Sequence, residues 1–426
     1  MPQLRGKRAV MDDVRRIATV LAISLMGFGA AGAVDASARS VPQGFFGVDM
    51  DPWTLMRNGH DINYELSTAA ASGVESVRIP LYWFDVQPYS SIERVPAGTL
   101  PAMTPAPDGG APSRWGNLDT FVTAAANRGI RILPIIIGAP QWAADTRWDK
   151  TLKIPSDPAT YARFSAALVN RYGSNGTFWT SNPSITKTPI TTWQIWNEPD
   201  IDRYWPQHLG ETQTVSVNGR VKRVKGLNFA PTYTVLLRAA RAAIKQADPS
   251  AQVMLASMTN KAWYSLKLLY ASGARGNFDE VGANVFSKTP ANLITAIKEI
   301  RSTMAANGDS RLPYSATEYS WSSSVGAIPL TAHMGWLVTS VTNQAKNAGA
   351  AMDLFIRYRS TLKLKGTYWY TWASDDSGTD SVWDYAGMRR VGVSSVSSKP
   401  VLATFAKKAL AAEGCARKAV ATSCAP

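Results

Sequence analysis

Eight short apolar segments alternate along this chain with longer segments that have helical periodicity. The segment at 130–137 is an almost continuous apolar run, which is typical of a parallel strand covered on both faces. Several helical segments end at a glycine, a common C-terminal stop. The predicted strands are residues 45–49, 74–80, 130–137, 190–196, 253–257, 280–286, 313–318 and 366–371. The predicted helices are residues 61–72, 117–128, 158–172, 231–247, 262–272, 291–306, 341–362 and 400–412.

This alternation predicts an α/β fold, namely a closed (β/α)₈ TIM barrel with long loops on the catalytic face. An open, doubly wound sheet is the alternative, but no glycine-rich nucleotide loop follows the first strand. The long segments 87–113 and 200–229 each follow a strand. Both should therefore lie at the carboxyl ends of the strands and form the walls of a groove.

The two ends of the chain carry separate signals. Basic residues precede an apolar, Gly/Ala-rich run at 17–34 and then Ala36-Ser37-Ala38, which predicts a signal peptide over residues 1–38 and a secreted or cell-envelope protein. An uncleaved membrane anchor is the alternative, because the apolar run approaches the length of a membrane span. A catalytic domain then covers residues 39–412. Cys415 and Cys424 predict a disulfide in a C-terminal tail of residues 413–426.

The formal net charge of +14 bears on possible partners. A basic surface favours acidic polymers, so an anionic or cell-surface polysaccharide is a candidate substrate, with an ordinary solvated surface as the alternative. The basic residues are scattered and no nucleic-acid-binding motif is present, which argues against nucleic acid as a partner. His60, His208 and His333 have no ligand spacing with another His or Cys, so we expect no metal and no other cofactor.

Residues 191–200 read TTWQIWNEPD, a strand that ends abruptly in an amide, a carboxylate and a proline. Pro199 cannot continue a ladder, so Asn197 and Glu198 should lie at the carboxyl end of the fourth strand, where α/β barrels carry their chemistry. Glu318 ends the seventh predicted strand in the same way. Because opposed strand ends face each other across the barrel mouth, the two carboxylates should lie roughly 5 Å apart, the separation of a retaining glycosidase.

The run Trp196-Asn197-Glu198-Pro199 on strand four, joined with Glu318 on strand seven, resembles glycoside hydrolase clan A. Within that clan the chain is most similar to family 39 and related enzymes that cut bacterial exopolysaccharides. The resemblance implies that Glu198 is the general acid/base and Glu318 the nucleophile. It also implies that Asn197 binds the sugar 2-hydroxyl and that Arg78, on strand two, supports the nucleophile.

The same resemblance implies that an aromatic residue after strand eight forms the floor of the subsite for the reacting sugar. We assign that role to Trp372, with Trp369 as its competitor. The chain has 15 tryptophans, and indole faces are common platforms for sugars. Trp205, in the 200–229 insertion, is a candidate for a neighbouring subsite, and Trp142 is a candidate groove residue with core packing as the alternative.

Three polar or aromatic positions complete the prediction. Asp49, at the end of strand one, could bond a sugar hydroxyl or form a structural salt bridge. Asn284 is a further candidate for sugar binding. Many members of the clan have His-x-Tyr on strand six, and the tyrosine hydroxyl bonds the nucleophile. The matching segment here is Asn284-Val285-Phe286, and Phe286 has no hydroxyl. Either Tyr319 or another group supplies that hydroxyl, or Glu318 is less well oriented.

Together these features predict a secreted, retaining glycoside hydrolase that cleaves β-glycosidic bonds in an oligo- or polysaccharide. Long walling loops favour endo-action over a closed pocket. Two alternatives remain open: a transglycosidase that uses the same glutamates, and a non-catalytic carbohydrate-binding barrel.

Overall fold

The computed structural model describes residues 39–217, 220–259, 261–392 and 396–425. The predicted signal peptide at 1–38 lies outside these residues. The strands are β1 (Phe46–Asp49), β2 (Ser76–Tyr82), β3 (Arg131–Ile137), β4 (Thr192–Ile195), β5 (His208–Val217), β6 (Arg220–Asn228), β7 (Gln252–Met254), β8 (Val281–Asn284), β9 (Tyr314–Tyr319), β10 (Leu364–Trp369), β11 (Ala373–Ser374), β12 (Arg389–Val391), β13 (Val396–Ser398), β14 (Arg417–Val420) and β15 (Ser423–Ala425).

Eight of these strands form one parallel sheet in the order β7-β4-β3-β2-β1-β10-β9-β8. Single bridges from Met254 to Glu280 and from Met258 to Ala283 join the two edges, so the sheet is a nearly closed barrel. Closure leaves few unpaired strand edges. The predicted (β/α)₈ barrel is confirmed, and the open doubly wound alternative is wrong.

Helices connect the barrel strands and surround them. The helices are α1 (Pro52–Arg57), α2 (Ile62–Ala71), α3 (Trp83–Val86), α4 (Gly116–Ala126), α5 (Pro158–Tyr172), α6 (Thr177–Ser181), α7 (Ala230–Ala247), α8 (Ala262–Ala271), α9 (Pro290–Ala306), α10 (Val341–Tyr358) and α11 (Pro400–Glu413). Local sequence explains several starts: the side chains of Asp61 and Asp157 accept backbone N–H bonds at the first turns of α2 and α5. In the described ranges, no helix is both long and apolar enough to cross a bilayer.

Local elements on the catalytic face differ from the prediction. The insertion at 200–229, predicted as a loop, contains the antiparallel hairpin β5–β6. The short helices α1 and α3, which follow β1 and β2, were not predicted. All three additions lie after barrel strands and therefore enlarge the face that carries the site.

The C-terminal residues fold back onto the domain. The predicted Cys415–Cys424 disulfide is present and closes the small hairpin β14–β15. Lys418, in that hairpin, is buried and forms ion pairs with Glu75 and Glu413, each at 2.5 Å. Because Glu75 immediately precedes β2, these pairs join the hairpin to the amino-terminal side of the barrel, away from the strand ends that carry the glutamates.

Candidate active site

The end of β4 turns sharply and directs Glu198 into the barrel mouth. Trp196 and Glu198 both have positive φ, 70° and 44°, a conformation that costs energy in residues with a Cβ and often occurs at functional sites. Two bonds hold the turn: the Glu198 N–H donates to Ser257 O at 2.7 Å, and Trp196 Nε1 donates to Tyr204 O at 3.0 Å. The orientation of Glu198 is therefore fixed by the neighbouring strand and by the following loop.

Arg78, on β2, is the charged centre of the site and is only 1% exposed. Its Nη1 donates to Glu318 Oε1 at 2.8 Å and to Asp49 Oδ1 at 2.7 Å. Its Nη2 donates to Asn197 Oδ1 at 2.7 Å, and its Nε to Gln194 Oε1 at 2.8 Å. One guanidinium thus orients the predicted nucleophile and the predicted sugar-binding amide together, as the sequence resemblance implied for Arg78.

Asn284, at the end of β8, links the two glutamates. Its Nδ2 donates to Glu198 Oε1 at 2.8 Å, and hydrogen bonding from the same amide lowers the pKa of Glu318. Its Oδ1 accepts a bond from Thr317 Oγ1 at 2.9 Å, which fixes the amide orientation. Asn284 is also the register partner of Glu318 across β8 and β9, so the strand pairing places the amide that holds Glu198 next to the strand position of Glu318.

The two glutamates differ in environment. Burial raises the pKa of Glu198 to about 8, and negative charge on Glu318 adds to the effect. Burial also raises the pKa of Glu318, but the charge and the hydrogen bond of Arg78 oppose that rise. Glu198 therefore holds a proton at neutral pH, whereas Glu318 is paired with a cation that stabilises its anion. Paired carboxyl groups with separated pKa values are suited to acid and nucleophile roles.

The contacts of two polar candidates narrow their roles. Asp49 Oδ1 accepts a hydrogen bond from Arg78 at 2.7 Å and its Oδ2 is buried, so Asp49 has the structural contact with a cation that was the alternative and does not face a sugar. Asn284 contacts Glu198 directly and lowers the pKa of both glutamates. Its predicted contact with sugar stays a prediction.

The assignment of Trp372 or Trp369 as the subsite floor is wrong. Both indoles are fully buried. Trp372 Nε1 donates to the buried carboxylate of Glu65 at 2.8 Å, and Trp369 Nε1 donates to Ala386 O at 3.0 Å. Both side chains point between the barrel and its helices, so neither can stack on a sugar.

Tyr370, which the sequence analysis missed as a site residue, is the aromatic that faces the carboxyl groups. It follows β10 directly, is partly exposed, and burial followed by negative charge on Glu318 raises its pKa well above the ordinary value. The ring of Phe286 packs edge-on against it, with centroids 6.3 Å apart. Trp383 packs against both rings, at 4.7 Å from Phe286 and 5.5 Å from Tyr370, and is itself partly exposed.

Tyr319 does not replace the hydroxyl that Phe286 lacks. Its side chain is fully buried, its ring packs against Phe355 at 4.9 Å and Trp369 at 5.5 Å, and its hydroxyl makes no hydrogen bond to either glutamate. Tyr204 is a better placed phenol that the sequence analysis also missed as a site residue. Burial raises its pKa to about 12, and the charge of Glu198 contributes.

Two further tryptophans serve mainly as packing residues. Trp205 is 4% exposed, packs edge-on against Trp196 at 5.2 Å, and donates from Nε1 to Thr232 Oγ1. It also forms part of the wall of a surface cleft, so its role in a neighbouring subsite stays a prediction. Trp142 is partly exposed, but its ring meets Trp83 at 5.7 Å and its Nε1 donates to Gln87 O. Trp142 thereby anchors the start of the 87–113 loop.

Two clefts lie on the flanks of the strand ends. The first, about 350 Å³, lies between α1 and the loop after β2, and its walls include Trp53, Arg57, Tyr82 and Arg114. The second, about 470 Å³, lies between the loops that follow β3 and β4, and Trp148 forms part of its wall. Among the described residues, no group of three His, Cys, Asp or Glu side chains could hold a metal ion.

Solved structures with the same architecture include several glycosidases. A family 39 glycoside hydrolase from the gut symbiont Bacteroides cellulosilyticus WH2 matches with a TM-score of 0.58 and 17% identity over 87% of this chain. The match spans 64% of that protein. A monomeric beta-xylosidase from Caulobacter crescentus CB15 matches with a TM-score of 0.57 and 16% identity, over 87% of this chain and 68% of the xylosidase.

A third match extends over nearly the whole of the other protein. The GH53 catalytic domain from Ignisphaera aggregans matches with a TM-score of 0.51 and 13% identity. The match spans 88% of this chain and 98% of that domain. No protein-family model matches the sequence, and no curated protein sequence matches it significantly. The chain therefore has the barrel fold of these clan A glycoside hydrolases, as its strand-four and strand-seven motifs predicted.

Proposed function

We propose that this protein is a retaining glycoside hydrolase in which Glu198 is the acid/base and Glu318 the nucleophile. The observation that carries the proposal is the pair of glutamates at the ends of β4 and β9. Asn284, which donates to Glu198 Oε1, is the register partner of Glu318, and one Arg78 guanidinium contacts both Glu318 and Asn197, the neighbour of Glu198. A carboxylate that a cation supports, beside a second carboxyl group that holds a proton, fits direct attack on the anomeric carbon.

The first step forms a glycosyl ester. The Glu318 carboxylate attacks the anomeric carbon while the bond from that carbon to the glycosidic oxygen breaks. Glu198 gives its proton to the departing oxygen, so the leaving group departs as a neutral alcohol. Since burial holds the pKa of Glu198 at about 8, this proton is present at neutral pH.

The second step releases the sugar. Glu198, now ionised, removes a proton from water, and the water oxygen attacks the anomeric carbon. The ester bond to Glu318 breaks and its electron pair returns to the carboxylate. Arg78, 2.8 Å from Glu318, stabilises the returning charge, and both glutamates regain their starting protonation states.

Asn197 and Tyr370 are placed to hold the reacting sugar. Asn197 Oδ1 accepts a hydrogen bond from Arg78, and this bond fixes the orientation of the amide. The amide nitrogen of Asn197 is then the atom that donates to a sugar hydroxyl. Tyr370 presents a ring and a hydroxyl next to both glutamates. Trp383, packed against Tyr370, extends the aromatic wall towards solvent.

We further propose an extended, β-linked substrate and endo-action. Two clefts, one beside the end of β2 and one beside the loops after β3 and β4, provide room for sugar units beyond the carboxyl pair itself. Arg57 and Arg114 outnumber Asp85 in the first cleft, and together with the net charge of +14 they favour a substrate with acidic units. Export to the cell surface, as the sequence of residues 1–38 suggests, would bring the protein to such polymers.

A screen of aryl β-glycosides and polysaccharides tests the proposal. The wild type should hydrolyse at least one substrate, and NMR should show that the first product keeps the anomeric configuration of the substrate. Glu318→Ala should lose turnover by at least 10³-fold, and added azide should restore the release of the aryl group. Undiminished turnover in both Glu198→Gln and Glu318→Ala would contradict the assignment of these glutamates as catalytic residues. A first product of inverted anomeric configuration would exclude the retaining mechanism.

A further inference from the structure

We propose that Asp49 is a positioning residue that stays protonated in the resting protein, so that the single positive charge of Arg78 is left for Glu318. This inference rests on the proposed function for its effect on turnover. Its first part, the protonation of Asp49, can be tested without any substrate.

Asp49 and Glu318 share one donor atom. Arg78 Nη1 lies 2.7 Å from Asp49 Oδ1 and 2.8 Å from Glu318 Oε1, so these two oxygens are no more than about 5.5 Å apart. The remaining donors of Arg78 contact neutral groups, namely Gln194, Asn197 and Ser257. One cation therefore faces two carboxyl groups in a buried site, and ionising both would leave a negative charge uncompensated.

The surroundings of Asp49 favour its neutral form. Asp49 is 7% exposed, and its Oδ2 is buried without a hydrogen-bond partner. A buried carboxylate oxygen without a donor is far more costly as an anion than as part of a neutral acid. Two phenols on the neighbouring strand and its end, Tyr368 and Tyr370, also face Asp49, and they add no positive charge.

Glu318 has more support for its charge than Asp49 has. Arg78 and Asn284 both lower the pKa of Glu318, whereas the pKa of Asp49 is lowered mainly by Arg78. Burial raises the pKa of Asp49 well above the ordinary value, and negative charge on Glu318 raises it further. When one of the two groups loses its proton, that group is Glu318, and its ionisation keeps Asp49 neutral.

Infrared difference spectroscopy tests the protonation directly. The Glu198→Gln variant removes the other protonated carboxyl of the site, so it serves as the background. At pH 7 this background should show a protonated-carboxyl C=O band that disappears when Asp49→Asn is added. Glu413, whose pKa burial raises to about 7, contributes equally to both samples, so the test is the difference between their two spectra. If that difference contains no protonated-carboxyl band, Asp49 is ionised and the proposal fails, whatever reaction the protein catalyses.

The pH dependence of kcat/KM tests the positioning role. Its acid limb reports ionisation of the nucleophile in the free enzyme. Asparagine imitates a neutral Asp49, so the acid limb of Asp49→Asn should lie within about 0.3 pH units of that of the wild type. The turnover of Asp49→Asn should also be at least tenfold faster than that of Asp49→Leu. If Asp49 is ionised in the wild type, Asp49→Asn removes a like charge near Glu318 and moves the acid limb down by one pH unit or more.

A matched control removes a carboxylate elsewhere. Asp353 is an exposed residue of α10 that pairs with Lys408, so Asp353→Asn makes the same chemical change far from the site. It should leave the infrared band and the acid limb at wild-type values. Equal losses of turnover in Asp49→Asn and Asp49→Leu would assign Asp49 an ionic role and overturn the proposal.

Discussion

Replacing Glu198 with glutamine should stabilise the fold at alkaline pH. In the native state burial holds the pKa of Glu198 at about 8, whereas the ordinary value is 4.5. Between these values the native protein binds a proton that the unfolded chain has released. The free energy of unfolding therefore falls as pH rises through this interval. Glutamine has a similar shape and can accept the same Asn284 bond, but it does not titrate.

The size of the effect follows from the same pKa values. Full conversion of the difference between about 8 and 4.5 would give about 5 kcal/mol. Because Glu198 is partly exposed to the cleft, solvent screening reduces this, and we expect about 3 kcal/mol. The advantage of Glu198→Gln should be near zero at pH 4.5, should grow as pH rises, and should level off above pH 8.

Urea unfolding at half-unit steps from pH 4.5 to 9 measures this difference. The variant and the wild type should have equal m-values, so that the midpoints report stability alone. Asp353→Asn is the control, since it removes an exposed carboxylate outside the site. A difference that is independent of pH, or a wild type more stable than the variant at pH 8, would refute the assignment of a buried, protonated Glu198.

Three other perturbations test separate parts of the structure. Asn284→Ala removes a bond that lowers the pKa of both glutamates, so both limbs of the kcat/KM profile should move to higher pH while kcat falls about 10²-fold. Trp372→Phe should lower the free energy of unfolding by about 1–3 kcal/mol, measured in urea, because buried Glu65 loses a donor, and it should leave KM unchanged. Reducing the Cys415–Cys424 bond, which spans nine residues, should cost about 2.5 kcal/mol by the same assay.

The two glutamates were predictable because their positions depend on simple constraints. Pro199 stops β4 and leaves Glu198 at its carboxyl end. The alternation of strands and helices places Glu318 on the seventh barrel strand. Arg78 lies within a strand whose side chains alternate between the two faces, so its inward direction also follows from a local rule.

The aromatic floor was not predictable in the same way. Trp369, Tyr370 and Trp372 lie within four residues, and which side chain faces the carboxyl groups depends on backbone angles beyond the end of β10. The preference for an indole over a phenol selected two residues that are in fact buried. The role of Asn284 was likewise hidden, because its bridging position requires β8 and β9 to bring two distant residues together.

The hairpin in the 200–229 insertion could have been predicted from its turn sequence. Residues 218–219 read Asn-Gly, flanked on both sides by alternating apolar and polar residues. That pattern is the strongest short-range indication of a hairpin. Its place after β4 then assigns the hairpin β5–β6 to the catalytic face.

Trapping the glycosyl ester would identify the nucleophile. The wild type is incubated with activated 2-deoxy-2-fluoro glycosides of the sugars that it hydrolyses, and its peptides are analysed by mass spectrometry. We expect one added glycosyl group on Glu318, together with loss of activity that follows the extent of labelling. A label on Glu198, or undiminished turnover with no labelled peptide, would contradict the assignment of Glu318 as the nucleophile.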